Sequence, residues 1–134
     1  MKKLQTTGLR HLALWVQNFD ATVDFYTRLL GMAVEWHPDA DNIYLTSGQD
    51  NLALHRAPVE FQRAPHQALD HLGFIINTID EVNAWHDFLV KEGVVIKAAP
   101  RTHRDGAHSF YCCDPDGNSV QMLYHPPLAK AGDK

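Results

Sequence analysis

The sequence predicts an α+β fold in which two βαβββ modules in tandem form a curved mixed sheet around a concave cavity, with the helices on the outside. An internal repeat is the first reason: residues 10–20 resemble residues 70–80, and His11 in one copy matches His71 in the other. The second reason is that both copies open with an almost wholly apolar run, as a strand covered on both faces should. The third is that one amphipathic helix and three short strands are predicted after each run.

The first module is predicted at residues 8–57. Its first strand leads into a helix that Asp20 should cap and that Gly31 should end as a C-terminal stop. One helical stripe of apolar residues should pack on the sheet: Val23, Tyr26, Leu29 and Leu30. Three strand candidates follow, separated by turn signals: Met32–His37, Ile43–Thr46 and Asn51–Arg56.

The second module is predicted at residues 68–125, after a proline-bearing linker at 58–67. Thr78 and Glu81 have the spacing of a helix-capping box, and Gly93 should end that helix. The apolar stripe of this helix consists of Val82, Trp85 and Leu89. The strand candidates of this module are Val94–Lys97, Ser109–Cys113 and Ser119–Tyr124.

Composition and charge restrict the class of protein and of partner. A chain of 134 residues with 45% apolar and 21% charged residues is expected to form a single globular domain, with a polar tail at 126–134. The net charge of −4 and the lack of a basic run argue against nucleic acid as a partner. No apolar run approaches the length of a membrane helix. A small molecule is therefore the expected partner.

The start of the chain and the cysteines indicate the compartment. No apolar stretch follows Lys2 and Lys3, so a secretory signal is not expected there. Cys112 and Cys113 are adjacent, so on a strand they point to opposite faces and cannot easily form a disulfide with each other. Both observations are typical of a cytoplasmic protein.

Alternation along the first strand of each module predicts an apolar face and a mixed face. The apolar faces consist of Leu12, Leu14 and Val16 in the first module and of Leu72, Phe74 and Ile76 in the second. The mixed faces consist of His11, Ala13, Trp15 and Gln17, and of His71, Gly73, Ile75 and Asn77. The apolar face should lie under the helix, so the mixed face should line the cavity.

Two of the nine histidines occupy equivalent positions in the repeat. Pseudo-twofold packing of the modules would bring the imidazoles of His11 and His71 toward one cavity. A third ligand, an oxygen donor on a last strand, would complete a facial metal site with open coordination positions, as metal-assisted chemistry requires.

Three features carry a family resemblance: the paired modules, the run Phe25-Tyr26 followed by Leu29-Leu30-Gly31-Met32, and the run SFYCCDPDGNSVQ from Ser109 to Gln121. Together they resemble the vicinal oxygen chelate superfamily, which includes glyoxalase I, extradiol dioxygenases, fosfomycin-modifying enzymes, epimerases and bleomycin-binding proteins. The resemblance extends from about Gly8 to His125. It specifies the fold well and the reaction poorly, because this scaffold hosts unrelated chemistries.

The resemblance implies a metal site formed by His11 on the first strand, His71 at the start of the second module and Gln121 on the last strand. Extradiol and fosfomycin-modifying enzymes have glutamate where Gln121 stands, whereas glutamine is a ligand in some glyoxalase-like members. A neutral amide offers one carbonyl oxygen and no charge, so Fe(II) or Mn(II) should bind less tightly than at a carboxylate. The expected cofactor is a divalent ion: Fe, Mn, Ni or Zn.

The glyoxalase pattern also implies a ligand on the fourth strand of the first module. Its acidic position falls on Ala53 or Leu54, and neither can bind a metal. His55 could substitute if the face that it shares with Ala53 points inward. If Leu52 and Leu54 point inward instead, His55 faces away.

Two further residues match family positions. Tyr111 aligns with a tyrosine that donates a hydrogen bond to a substrate oxygen, although it could equally be an aromatic residue that fills the sheet. His103 lies on the loop that carries an acid–base histidine in dioxygenase-like members, although a solvated loop histidine is the alternative. The run Asp114–Gly117 is predicted as a hairpin turn without a catalytic role. The remaining histidines are expected to be surface or structural: His37, His66, His86, His108 and His125.

Two functions of different classes follow. The first is a metal-dependent enzyme that binds a small substrate through vicinal oxygens, with dioxygenase-like or lyase/isomerase chemistry. The second is a metal-free antibiotic-binding protein of the bleomycin-resistance type, with a cavity lined by Trp15, Trp36, Tyr44 and Phe61. The resemblance also implies a homodimer, in which His11 and His71 could meet within one chain or across two.

Overall fold

A computed structural model describes residues 3–129 of the chain. These residues divide into two compact units, with the boundary between Phe61 and Gln62. The predicted polar tail begins with a short 3-10 turn at Pro126–Leu128, and its part beyond Ala129 lies outside the described residues. In this part of the chain, no helix is both long and apolar enough to cross a membrane.

The first unit has the predicted order of elements. It consists of β1 (His11–Val16), α1 (Phe19–Asp24), β2 (Ala33–Asp39), β3 (Asn42–Thr46) and β4 (Asn51–Arg56). Its four strands form one mixed sheet in the order β1-β4-β3-β2. The pair β1 and β4 is parallel, and the other two pairs are antiparallel.

Helix α1 begins earlier than predicted. Asn18 is its N-cap residue, whereas the sequence pattern placed the cap at Asp20. Asp20 lies instead in the first turn, where its negative charge interacts favourably with the helix dipole. The chain continues through a π-helical turn at Phe25–Leu29, and Gly31 follows with a φ of +81°, which glycine adopts without strain.

The apolar face of the first sheet is buried as predicted. Leu14 and Val16 of β1 and Leu54 of β4 are buried, as is Tyr26 of the helical segment. The opposite face of β1 carries exposed residues, including Trp15, whose exposed fraction is 54%. Alternation along the strand therefore separates the core from the face that carries the candidate site.

The second unit repeats this architecture. It consists of β5 (Leu72–Ile75), α2 (Ile79–Lys91), β6 (Ile96–Thr102), β7 (His108–Cys113) and β8 (Ser119–Tyr124). Its four strands also form one mixed sheet, in the order β5-β8-β7-β6, with β5 and β8 parallel. Helix α2 packs on β6, β7 and β8.

Helix α2 has the predicted ends. Thr78 is the N-cap residue, and its hydroxyl oxygen accepts a hydrogen bond of 3.1 Å from the backbone N–H of Glu81. Gly93 follows the helix with a φ of +81°. Val82 and Leu89 are fully buried, as the apolar stripe predicts.

Strand β6 is longer than predicted. The pattern placed a strand at 94–97, whereas β6 extends to Thr102 and contains Pro100. Proline indicates the end of a strand in a sequence because it removes a backbone donor. Here β6 is an edge strand with two register irregularities, so a proline can be accommodated.

Candidate functional site

Three predicted site residues of the second unit lie near one another around one cavity. Val120 and Met122 of β8 are buried on the side of α2, so Gln121 points to the opposite face. Tyr111 of β7 is its direct neighbour across the β7–β8 pair. The cavity, of about 650 Å³, is lined by both residues and by His103 of the β6–β7 turn.

The amide of Gln121 has a defined orientation. Its Nε2 donates a hydrogen bond of 3.0 Å to the hydroxyl oxygen of Ser109, which leaves Oε1 as its accepting atom. Gly73 faces Gln121 across the β5–β8 pair, and a Cβ added at this glycine would lie 3.8 Å from Oε1. The absence of a side chain at position 73 thus leaves space beside the amide oxygen.

Ser109 joins Gln121 to His103. Its hydroxyl oxygen lies 3.1 Å from Nε2 of His103, and only 1% of the residue is exposed. The backbone N–H of His103 donates to the carbonyl oxygen of Ala107 at 2.7 Å, which holds the imidazole at the base of the turn. Sequence reasoning missed Ser109, although alternation places it on the same face as Tyr111.

His71 lies immediately before β5, beside Tyr111. The two rings meet edge to face, with 5.2 Å between their centroids. The Nδ1 atom of His71 lies 2.7 Å from a carboxylate oxygen of Asp70. A carboxylate can only accept, so Nδ1 carries a proton and the neutral imidazole presents the lone pair of Nε2.

His11 is held in a similar way in the first unit. Its Nδ1 lies 2.7 Å from Oδ1 of Asn51, and Nδ2 of Asn51 donates a hydrogen bond of 2.7 Å to Glu35. Because Oδ1 can only accept, His11 also presents Nε2 in its neutral form. The sequence pattern does not predict these hydrogen bonds among His11, Asn51 and Glu35. Glu35 lies at the register irregularity of β2 between Val34 and Trp36, where regular alternation does not apply.

The structure decides which way His55 points. The register pairs Trp15 of β1 with His55 of β4, so His55 shares the open face of the sheet. Leu52 and Leu54 are buried on the other face. The Nδ1 atom of His55 lies 2.6 Å from the side-chain oxygen of Asn42.

A row of aromatic rings crosses the open face of the first sheet. Trp36 stacks on Tyr44 with 5.1 Å between centroids, and His55 lies beside both Tyr44 and Trp15. Trp36 is 59% exposed. Among residues 3–129, the ring of Phe61 makes no ring contact with this row, and its backbone oxygen accepts a hydrogen bond from Gln17.

The predicted ligands are distributed over both units: His11 lies in the first, and His71 and Gln121 lie in the second. Within the described range of residues, no three histidine, cysteine or carboxylate side chains are arranged so that they could hold a metal ion. A site with the predicted ligands would instead use two imidazoles and the amide oxygen of Gln121.

Other polar residues make hydrogen bonds within the second unit. His108 is buried between Thr102 and Asn83 of α2, with distances of 2.9 and 2.8 Å from its ring nitrogens to their side-chain oxygens. A carboxylate oxygen of Asp114 accepts backbone hydrogen bonds within the hairpin turn. His125, which the sequence predicts to be surface or structural, also lines the cavity.

Both cysteines are unpaired. Burial raises the pKa of the Cys112 thiol to about 12, with the nearby Cys113 and Asp114 as further causes. Cys112 is therefore protonated near neutral pH and is not a nucleophile.

Comparisons with known proteins agree with this architecture. A family model described as Glyoxalase/Bleomycin resistance protein/Dioxygenase superfamily matches residues 8–122. The chain is 30% identical over 128 residues to the glyoxalase domain-containing protein RDO1 of Mycosarcoma maydis, with 90% of this chain and 70% of that protein covered.

Two solved structures illustrate the shared fold. Lactoylglutathione lyase from Agrobacterium tumefaciens superposes with a TM-score of 0.75 at 20% identity, covering 93% of this chain and 98% of that one. Integron cassette protein VCH_CASS1, from the mobile metagenome of V. cholerae, has a TM-score of 0.68 at 28% identity, covering 92% and 99%. The predicted tandem βαβββ fold is confirmed.

Proposed function

Because the chain belongs to the glyoxalase/bleomycin resistance protein/dioxygenase superfamily, we propose that it is a metal-dependent enzyme that binds a small substrate through two neighbouring oxygens. The proposed chemistry is dioxygenase-like or of the lyase/isomerase type. His11, His71 and Gln121 are the proposed metal ligands. Tyr111 and His103 are the proposed catalytic residues.

The observation that carries this proposal is the orientation of the three ligands. The Nδ1 atom of each imidazole lies 2.7 Å from an oxygen acceptor, which is Asn51 for His11 and Asp70 for His71. Each neutral ring therefore presents Nε2, and Gln121 presents Oε1 because its amide nitrogen is engaged within the sheet. Metal-binding histidines are typically held by such a hydrogen bond at their other nitrogen.

The donor set fits a divalent ion of borderline softness. Two imidazole nitrogens and one amide oxygen suit Ni or Zn better than Mn, because carboxylate oxygens are absent from this set. An ion held by His11, His71 and Gln121 would supply Lewis-acid stabilisation of negative charge on a substrate oxygen.

The second unit supplies the groups that would move or hold protons. The hydroxyl of Tyr111, which lines the cavity, would donate a hydrogen bond to a substrate oxygen. Ser109 accepts a hydrogen bond from Gln121, so its own proton is available to Nε2 of His103, 3.1 Å away. In that arrangement His103 carries its proton on Nδ1. Ser109 is thus a positioning residue for both neighbours.

The metal content of protein purified without a histidine tag or chelator tests the site. Elemental mass spectrometry should find close to one divalent ion per chain in the native protein, and the ion should be lost in His11→Ala and in His71→Ala. His66→Ala, which removes an exposed imidazole from the linker, should retain it. An absence of metal in the native protein, followed by no uptake when Ni²⁺ or Zn²⁺ is added, would defeat the proposal.

The aromatic row of the first unit supports a second candidate, a metal-free binding protein of the bleomycin-resistance type. The exposed rings of Trp15 and Trp36 could bury a planar ligand group without a metal. Bleomycin binding, measured by calorimetry, should then be lost in Trp36→Ala and be unchanged in His71→Ala. The opposite pattern would favour the metal-dependent enzyme.

We also propose that the protein is a cytoplasmic homodimer. Exposed apolar side chains on both units, including Trp36 and Val95 at 59% and 65% exposure, support a contact between copies. The two unpaired cysteines are consistent with a reducing compartment.

A further inference from the structure

We propose that the cavity of the second unit recognises an anionic group of the substrate through Arg101 and Arg104. The substrate class would then be a small carboxylate or phosphate that also carries two neighbouring oxygens. The anionic part of this inference rests on the cavity alone. The requirement for two neighbouring oxygens in the substrate rests on the proposed function.

The sheet places Arg101 beside the candidate catalytic groups. Arg101 of β6 pairs with Ser109 of β7. The hydroxyl oxygen of Ser109 accepts a hydrogen bond from Gln121, which lies on the face of the second sheet opposite α2. The next residue, Thr102, contacts His108 on the side of α2. Alternation along β6 therefore directs Arg101 to the face of Gln121, and its side chain lines the cavity.

The β6–β7 turn places Arg104 at the same cavity. A hydrogen bond of 2.7 Å from the N–H of His103 to the carbonyl oxygen of Ala107 closes this turn. A second bond, of 3.0 Å, joins the N–H of Gly106 to the carbonyl oxygen of His103. Gly106 has a φ of +89°, which favours glycine. Arg104 is therefore carried by a short, hydrogen-bonded turn.

Among residues 3–129, the charges of these two arginines are not paired with a carboxylate. In the described part of the chain, neither guanidinium has an ion-pair or hydrogen-bond partner. Three arginines elsewhere are paired with carboxylates: Arg28 with Asp24, Arg56 with Asp41, and Arg63 with Asp116. The acid that lines the cavity is Asp105, and one of its oxygens accepts a hydrogen bond of 3.0 Å from the backbone of Ala107.

The cavity is thus a positive site in a chain whose net charge is −4. Two guanidinium groups, of Arg101 and Arg104, and one carboxylate, of Asp105, line it. Guanidinium groups bind carboxylate and phosphate through paired N–H donors, a geometry that a neutral ligand cannot match. A volume of about 650 Å³ accommodates a small ring with one such substituent.

Matched probes separate the anionic group from the neighbouring oxygens. Catechol carries only the oxygens, benzoate and phenyl phosphate carry only the anion, and 3,4-dihydroxybenzoate carries both. Isothermal titration calorimetry on the chain of 134 residues should show that 3,4-dihydroxybenzoate binds at least about tenfold more tightly than catechol. Benzoate and phenyl phosphate should bind without any diol, and the tighter of the two identifies the preferred anion.

Charge-removing variants test the two arginines. Arg101→Gln and Arg104→Gln should each weaken the binding of the anionic probes about tenfold and leave catechol binding unchanged. Arg28→Gln removes the same charge from the surface of the first unit and should change neither the binding of the anionic probes nor the binding of catechol. Circular dichroism should show the native fold in each variant.

The outcomes distinguish this inference from the proposed function. If neither anionic probe binds the native protein, or if the variants bind the anionic probes as tightly as the native protein does, the anionic site is refuted. If catechol fails to bind while benzoate binds in a manner that depends on Arg101 and Arg104, the anionic site stands and the vicinal-oxygen function does not.

Discussion

His11 depends on two side chains outside the predicted ligand set. Asn51 lies between His11 and Glu35, with 2.7 Å to each, and its amide has only one orientation that satisfies both contacts. Its nitrogen must donate to the carboxylate, so its oxygen accepts from Nδ1 of the imidazole. Such a hydrogen bond fixes the ring and its tautomer, and it makes the other nitrogen a better ligand.

Removal of this support should weaken metal binding. We expect Asn51→Ala to lower the affinity for Zn²⁺ by about tenfold or more, because outer partners of metal-binding histidines have effects of that size. Titration with Zn²⁺ measures the affinity, and ¹⁵N NMR of the imidazole reports the tautomer of His11. Asn42→Ala removes the corresponding amide from His55 and is the matched control. Equal losses in the two variants would contradict the assigned role of Asn51.

At the scale of single elements, helix α2 and strand β7 each make a measurable contribution to the stability of the fold. The capping hydroxyl of Thr78 satisfies one of the backbone donors at the start of α2. On the sheet side, Cys112 of β7 is buried, and its thiol is fully enclosed. Each effect belongs to a single element and does not depend on the function of the protein.

Loss of the cap should destabilise the fold. Thr78→Ala should lower the free energy of unfolding by about 1 kcal/mol, the usual cost of an N-cap hydroxyl. Thr78→Ser keeps the hydroxyl and should restore most of this stability. Urea denaturation followed by circular dichroism measures the difference between the variants. If the alanine and serine variants were equally stable, the hydroxyl would not be the stabilising group.

The buried thiol predicts a loss of stability at high pH. Burial raises the pKa of Cys112 from 9.0 to about 12, so the folded state holds this proton more tightly than the unfolded state does. The resulting contribution to stability is complete below pH 9 and is lost as the pH rises from 9 to about 12. Cys112→Ala should therefore show a smaller decline in unfolding free energy over this range. An unchanged decline would exclude Cys112 as its source.

For the whole molecule, the proposed metal site needs residues of both units. The proposed ligands are divided between the units, with His11 in one and His71 and Gln121 in the other. A protein that uses all three must bring equivalent faces of its modules together, either within a chain or between chains.

Light scattering should give a particle of twice the chain mass of 15.1 kDa if the protein is a homodimer. A mixture of the His11→Ala and His71→Ala variants, allowed to exchange subunits, then locates the ligands. Metal binding that returns on mixing shows that each site takes its histidines from different chains. Metal binding that stays lost shows that both come from one chain. A particle of single-chain mass would refute the homodimer.

Local signals in the sequence were sufficient for the modules and for their buried faces. The repeat, the helix stops at Gly31 and Gly93, and the capping residue Thr78 all depend on residues close together in the chain. Two predicted details of the elements differ from the structure. The α1 cap at Asn18 is two residues earlier than the cap predicted at Asp20, and a proline in β6 is tolerated because that strand lies at an edge.

The sequence by itself therefore determined the tandem fold, the family and the candidate ligands, whose roles stay predictions. Only the tertiary structure decided which partners hold these side chains: Asn51 and Glu35 behind His11, and Ser109 between Gln121 and His103. It also placed two arginines at the cavity. The physical reason is that these contacts depend on register between strands distant in the chain and on an irregularity in β2, which local periodicity does not encode.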